Sequence, residues 1–139
     1  MFRHILVPLD LGEASARAIT TALELATASR ARVTLLHVTH RIGGIPMTEL
    51  RSFYRRLEAA SRKKLARVAT TFAQRGLGVR EVVLLGIPAR EIVGFATAKG
   101  VDLIVMGSHR VDPARVGMGL GTTSYKVSIL CPCPILLVK

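Results

Sequence analysis

The sequence predicts an α/β domain, a doubly wound, open parallel sheet with helices on both faces. Three observations point there. Short apolar runs at 4–9, 32–38, 79–86, 101–107 and 134–139 alternate with stretches of helical spacing. The runs are rich in Val, Ile and Leu and nearly continuous, as in strands covered on both faces. Half the residues are hydrophobic, yet aromatics make up only 4% and Trp is absent, so the core must be aliphatic. At 139 residues, with no linker, repeat or low-complexity tract, the whole span 1–139 reads as a single domain.

The elements follow in order. HILVPL (4–9) is a buried strand that ends in a turn at Asp10 and Gly12. Residues 13–29 place Ala18, Ile19, Ala22, Leu23 and Ala26 at helical spacing. RVTLLHV (32–38) is a second strand, with Val33, Leu35 and Leu36 facing the core. After the RIGGIP connection comes a long helix over roughly 48–76, whose buried stripe is read as Leu50, Phe53, Tyr54, Leu57, Val68 and Phe72. Gly76 and Gly78 end it. VREVVLLG (79–86) is the third strand. Pro88 suits the first turn of the next helix, Ile92, Val93 and Ala96 give that helix its inner face, and Gly100 stops it. VDLIVMG (101–107) is the fourth strand. A short helix over 122–131 carries Tyr125, Val127, Ile129 and Leu130, and PILLVK (134–139) closes the chain as the fifth strand.

Right-handed crossovers restrict this order to a sheet wound in two directions from its middle. Ligands of such sheets bind beyond the carboxyl ends of the strands, where the winding reverses. Three segments meet there: PLDLGE after the first strand, HVTH after the second, and GSHRVDPARVGMGLGTT after the fourth. Asp10 can accept a ribose hydroxyl or hold a metal-bound water, or it can simply cap the next helix. Gly107 permits close backbone approach, and Gly121 with Thr122 and Thr123 opens a helix whose free N–H groups suit an anion.

Other chemistries fit less well. There is no G-x-x-x-x-G-K-[ST] and no G-x-G-x-x-G after the first strand, which argues against a Walker loop and a dinucleotide cofactor. His4, His37, His40 and His109 lack metal-ligand spacing and carboxylate company. The Ser, His and Asp of 108–112 lie too close in sequence to form an oriented triad. Cys131 and Cys133, in CPCP, read as small hydrophobes at a corner remote from the crevice.

The net charge of +11 favours anionic partners. Arg51, Arg55, Arg56, Arg62, Lys63, Lys64 and Arg67 crowd the long helix. A solvated basic face is preferred there over a site for nucleic acid or an anionic membrane, since aromatics for base stacking are scarce. No apolar run approaches the roughly 20 residues of a membrane span. The N-terminal MFRHILVPLD has no secretory pattern, so a cytoplasmic protein is expected.

Several stretches, in order and over nearly the whole chain, resemble one family. HILVPLDLGEAS is similar to the opening hILVPvDgSexS of universal stress proteins. VTLLHV resembles their second strand, GIPAREIVGFATAKGVDLIVMGSH their G-x-P helix and following strand, and CPCPILLVK their closing strand. The resemblance implies a three-layer α/β/α, adenine nucleotide alpha hydrolase-like fold with five parallel strands. It also implies a homodimer, often joined through the last strand, here Pro134 to Lys139, and a stress-related regulatory module rather than an enzyme. Many members bind ATP through a G-x-x-G-x9-G-[ST] loop, so ATP is the implied ligand, with AMP, ADP and accompanying Mg2+ as further candidates.

Carried over to this chain, the implied nucleotide-binding set is Pro8, Leu9, Asp10, Val38, Gly107, His109, Arg110, Gly121, Thr122 and Thr123. Asp10 matches the ribose carboxylate, Val38 the backbone that reads adenine, and Gly107, Gly121 and Thr122 the ends of the phosphate loop. Arg110 stands where the second glycine belongs, and the spacer from there to Gly121 is longer by one residue. That guanidinium either closes the phosphate site, leaving a dimeric interaction module without nucleotide, or contacts the phosphate itself.

Overall fold

The computed structural model describes residues 1–12, 15–108 and 122–139. Its elements run β1 (His4–Pro8), α1 (Ala16–Ser29), β2 (Arg32–His40), α2 (Met47–Ala73), β3 (Val79–Gly86), α3 (Pro88–Ala98), β4 (Leu103–Gly107), α4 (Thr123–Leu130) and β5 (Ile135–Val138). The strands form one five-stranded sheet in the order β3-β2-β1-β4-β5. All four pairings are parallel. The chain winds outward from β1 through β2 to β3, then returns to the other side of β1 for β4 and β5, which makes the doubly wound sheet that the strand pattern predicts.

Strand alternation divides the core into two layers. Ile5 and Val7 of β1, Val33 and Leu35 of β2, and Leu103 and Val105 of β4 pack with Ala22, Leu23 and Ala26 of α1 and Leu65, Ala69 and Phe72 of α2. The intervening residues Leu6, Leu36, Ile104 and Met106 pack on the opposite face with Ala89, Ile92 and Ala96 of α3 and Val127 of α4. A period of two in the strands therefore decides which helix each residue meets. Ile5, Leu6, Val7, Leu35, Leu36, Ile104 and Val105 are fully buried, which is why these runs show no polar alternation.

Two helical faces differ from the sequence reading. In α2 the buried residues are Tyr54, Ser61, Leu65, Ala69 and Phe72, whereas Phe53 and Leu57 are exposed. The buried side is a narrow stripe through Tyr54, Ser61, Leu65, Ala69 and Phe72, and Phe53 and Leu57 flank it on the surface. In α4 only Ser124 and Val127 are buried, and Tyr125, Ile129 and Leu130 face outward, because this short helix touches the core along one line. The glycine stops hold: Gly76 and Gly100 both adopt positive φ, +74° and +65°, just beyond α2 and α3.

β4 begins at Leu103 because Asp102 works as a clasp to the neighbouring strand. Its carboxylate accepts the backbone N–H groups of Arg3 at 2.9 Å and His4 at 3.0 Å, and its own N–H donates to the His4 carbonyl at 3.1 Å. Burial works to raise the Asp102 carboxyl, but the backbone N–H groups of Arg3, His4 and Asp102 outweigh it and hold it below its usual value. Beside it the buried His4 places Nε2 2.7 Å from the Thr34 hydroxyl and Nδ1 3.3 Å from the Lys99 carbonyl. Burial, then the charge of Arg32, lowers the His4 pKa, which favours the uncharged ring in the core.

A pH dependence follows. The unfolded chain protonates His4 near its ordinary pKa of about 6.5, while the folded chain resists until lower pH. The stability tied to the neutral ring is thus present above that pH and is lost as pH falls through it. The urea midpoint of the wild type should drop between pH 7.5 and 5.5, and His4→Gln should flatten that drop. An equal drop in both proteins would assign it elsewhere.

Candidate functional site

The strand ends and helix starts enclose one cavity of about 370 Å³ at the carboxyl edge of the sheet. It lies where β1 and β4 diverge, so its walls come from chain segments far apart in sequence. Pro8, Leu9 and Asp10 line it from the end of β1, with Ser15 at the start of α1. Leu36, His37 and Val38 contribute from β2, Pro88 and Ile92 from the first two turns of α3, and Met106, Gly107 and Ser108 from the end of β4. Thr122, Thr123 and Ser124 close the wall at the start of α4.

The turn after β1 fixes Asp10. Its Oδ1 accepts the Gly12 N–H at 2.9 Å and the Ser15 hydroxyl at 2.7 Å. One oxygen thus ties the loop, and Asp10 lines the cavity wall. Leu11 next to it adopts φ +67°, a left-handed conformation that costs a side-chain-bearing residue roughly 1–2 kcal/mol. Strain of this kind, held by the surrounding hydrogen bonds, is commonly stored beside functional groups.

His37 occupies the wall between Leu9 and Val38. Its Nδ1 lies 2.8 Å from the Leu9 carbonyl, which can only accept, so Nδ1 carries a proton. The opposite wall is rich in hydroxyls. Thr122 caps α4, its Oγ1 accepting the Tyr125 N–H at 3.3 Å. Ser124 Oγ lies 3.4 Å from Thr122 Oγ1 and 3.5 Å from Ser108 Oγ. Three hydroxyls at a helix N-terminus form a patch of donors with a partial positive charge behind it.

Of the residues expected at the site, Pro8, Leu9, Asp10, Val38, Gly107, Thr122 and Thr123 are brought together around this cavity. His109, Arg110 and Gly121 lie outside the described residues. Sequence reasoning did not single out Ser15, His37, Ser108 or Ser124 for the nucleotide site, though chain order already placed HVTH and the segment opening GSHRVD at the crevice. Among the described residues no group of three or more His, Cys, Asp and Glu could hold a metal ion. No helix among them is long and apolar enough to cross a membrane.

Comparison with known proteins agrees across the full length. Residues 1–139 match the model of the universal stress protein family. Universal stress protein YxiE of Bacillus subtilis (strain 168) is 33% identical, with 100% of both chains covered. The structure of universal stress protein UspA from Lactobacillus plantarum superposes with a TM-score of 0.79 at 29% identity, over 99% of this chain and 98% of that one. A universal stress protein solved in complex with cAMP superposes with a TM-score of 0.77 at 20% identity, over 99% of this chain and 97% of that one. Sequence, strand order and these matches converge: the chain belongs to the universal stress protein family.

Proposed function

We propose that the crevice binds an adenine nucleotide, ATP or one of its shorter relatives, and that the protein is a nucleotide-binding regulatory module in stress responses. The observation that carries this reading is the arrangement of three kinds of group around one cavity. An apolar slot lies beside the backbone of Val38, a carboxylate stands at Asp10, and the hydroxyls of Ser108, Thr122 and Ser124 sit at the start of α4. Adenine is flat and apolar with polar edges, so it suits the slot, where backbone groups can read its edge. Ribose hydroxyls donate to the Asp10 carboxylate. Phosphate oxygens accept from the hydroxyls and helix N–H groups around Thr122. The cavity volume, about 370 Å³, falls in the range of small-ligand sites. The fold neighbour that holds cAMP adds support.

Binding, not turnover, is the activity proposed. The described cavity wall carries one carboxylate, Asp10, and no Lys or Arg, whereas phosphoryl transfer needs a held metal and a positioned nucleophile. Any Mg2+ would enter with the phosphates. To test the reading, purified protein is denatured and the released small molecules are separated by chromatography, and the emptied, refolded protein is titrated with ATP in a calorimeter. The reading expects an adenine nucleotide in the first measurement or saturable heat in the second. Neither appearing would sink it.

The same reading takes the protein as a homodimer joined through Pro134 to Lys139. Among the described residues β5 is a sheet edge that pairs only with β4, and it carries the exposed Leu136 on the face opposite Ile135 and Leu137. Such an edge is suited to cover by a second copy. Leu136→Glu should convert the protein from dimer to monomer in sedimentation velocity at micromolar concentration. A variant that sediments like the wild type would move the interface elsewhere.

A further inference from the structure

The turn from α4 into β5 reads Cys131-Pro132-Cys133-Pro134 and holds the chain's two cysteines, neither of them bridged. Nucleotide binding makes no use of them. Their Sγ atoms lie 3.4 Å apart, close enough to share a hydrogen bond. Both side chains are half-buried against the core layer of Ile104 and Val127, so small reagents can reach them. The backbone on either side is pinned. The Cys131 N–H donates to the Val127 carbonyl at 2.9 Å, and the Pro134 carbonyl accepts the Ile104 N–H at 3.0 Å. Pro132 between them has its φ fixed by its ring. The fold, not chance encounter, keeps the two sulfurs in contact. With no third His, Cys, Asp or Glu grouped with them among the described residues, the pair lacks the donor set of a closed zinc site.

We propose that Cys131 and Cys133 form a dithiol site that exchanges with low-molecular-weight disulfides and closes reversibly to an intramolecular Cys131–Cys133 disulfide. The Cys131 thiol loses its proton to solvent, and the thiolate attacks one sulfur of the small disulfide. That S–S bond breaks, and the first thiolate leaves and takes up a proton. Cys133 then releases its own proton and attacks the Cys131 sulfur, expelling the second small thiol. The protein pair gives up two electrons, and one disulfide becomes two thiols.

The order of attack follows from the surroundings. Burial, with the hydrogen bond and charge of Cys131, pushes the Cys133 thiol up to about 12. Burial thus opposes a Cys133 thiolate, which favours Cys131 as the attacking sulfur and Cys133 as the resolving one. Closing a loop with one intervening residue removes little chain entropy, so the bond adds little stability. A tight, solvent-reachable disulfide of this kind is readily reduced again, which suits a reversible site and not a structural staple.

The test uses the intact protein and glutathione disulfide, with remaining thiols alkylated by a maleimide and counted by intact mass. The wild type should lose both thiols, retain no glutathione, and recover both on reduction. Cys133→Ser should hold one glutathione as a mixed disulfide, and Cys131→Ser should react more slowly than Cys133→Ser. A lasting glutathione adduct on the wild type, both thiols still free at saturating oxidant, or equal rates for the two variants would overturn the proposal. The wild-type mass reads out the main claim even if a variant fails to fold. It is also independent of whether nucleotide binds.

Discussion

Asp10→Ala is expected to lower the affinity for AMP by about 10- to 100-fold, the loss of a charge-assisted hydrogen bond or two to the ribose. The substitution also removes the acceptor for Gly12 N–H and the Ser15 hydroxyl, so it loosens the turn after β1. Asp10→Asn separates the two effects. Its side-chain oxygen still ties the turn, while the charge that holds ribose is gone. The expected pattern is a thermal midpoint near the wild type for Asp10→Asn with affinity reduced, and both quantities reduced for Asp10→Ala. Calorimetric titration with AMP, paired with thermal unfolding, measures both. If Asp10→Ala bound AMP as tightly as the wild type, the carboxylate would be a turn residue only.

The second large effect concerns stability and sets two phenylalanines of one helix against each other. Phe72 is fully buried in the layer formed by α1, α2 and the sheet. Phe72→Ala should cost about 3–5 kcal/mol, through lost transfer energy and the cavity left behind. Phe53 is 39% exposed beside the buried stripe of α2, and Phe53→Ala should stay within about 0.5 kcal/mol, as surface changes do. Urea denaturation of the two variants checks the contrast. Similar losses in both would mean that Phe53 packs as part of the core.

These two helical positions show where the sequence was legible and where it was not. The five strands were plain because each is a run of aliphatic residues buried on both faces, a pattern with few competing explanations. Helix ends were plain where glycine supplied a positive φ, as at Gly76 and Gly100. Helix faces were harder. Phe53 and Leu57 flank the stripe through Tyr54, and hydrophobic spacing alone cannot say that the buried face is so narrow. It runs instead through Ser61, a polar residue, and Ala69. Strand starts also depend on tertiary partners: Asp102 leaves the strand because the N–H groups of Arg3 and His4, nearly a hundred residues away, claim its carboxylate.

The candidate site divides in the same way. Asp10 and Gly107 were readable because strand ends in a doubly wound sheet must face the crevice, and Val38 through the family resemblance. His37 was not, since its role depends on a hydrogen bond to the Leu9 carbonyl across the β1–β2 pair. Ser108 and Ser124 gain meaning only when the end of β4 and the start of α4 are brought within 3.5 Å. Arg110 falls outside the described residues, so its two possible parts, closing the phosphate site or serving it, are told apart by ligand length. An arginine that serves phosphate makes ATP bind more tightly than AMP, and Arg110→Gly then removes the difference.

The central proposal is that the nucleotide enters the crevice and is not simply drawn to a protein of charge +11. Backbone amide chemical shifts recorded during an ATP titration address this most directly. Binding in the crevice predicts saturable shifts concentrated at Asp10, His37, Val38, Ser108 and Thr122, largely retained in 0.3 M salt. Shifts confined to the arginine- and lysine-rich face of α2 between Arg51 and Arg67, vanishing with salt, would contradict it.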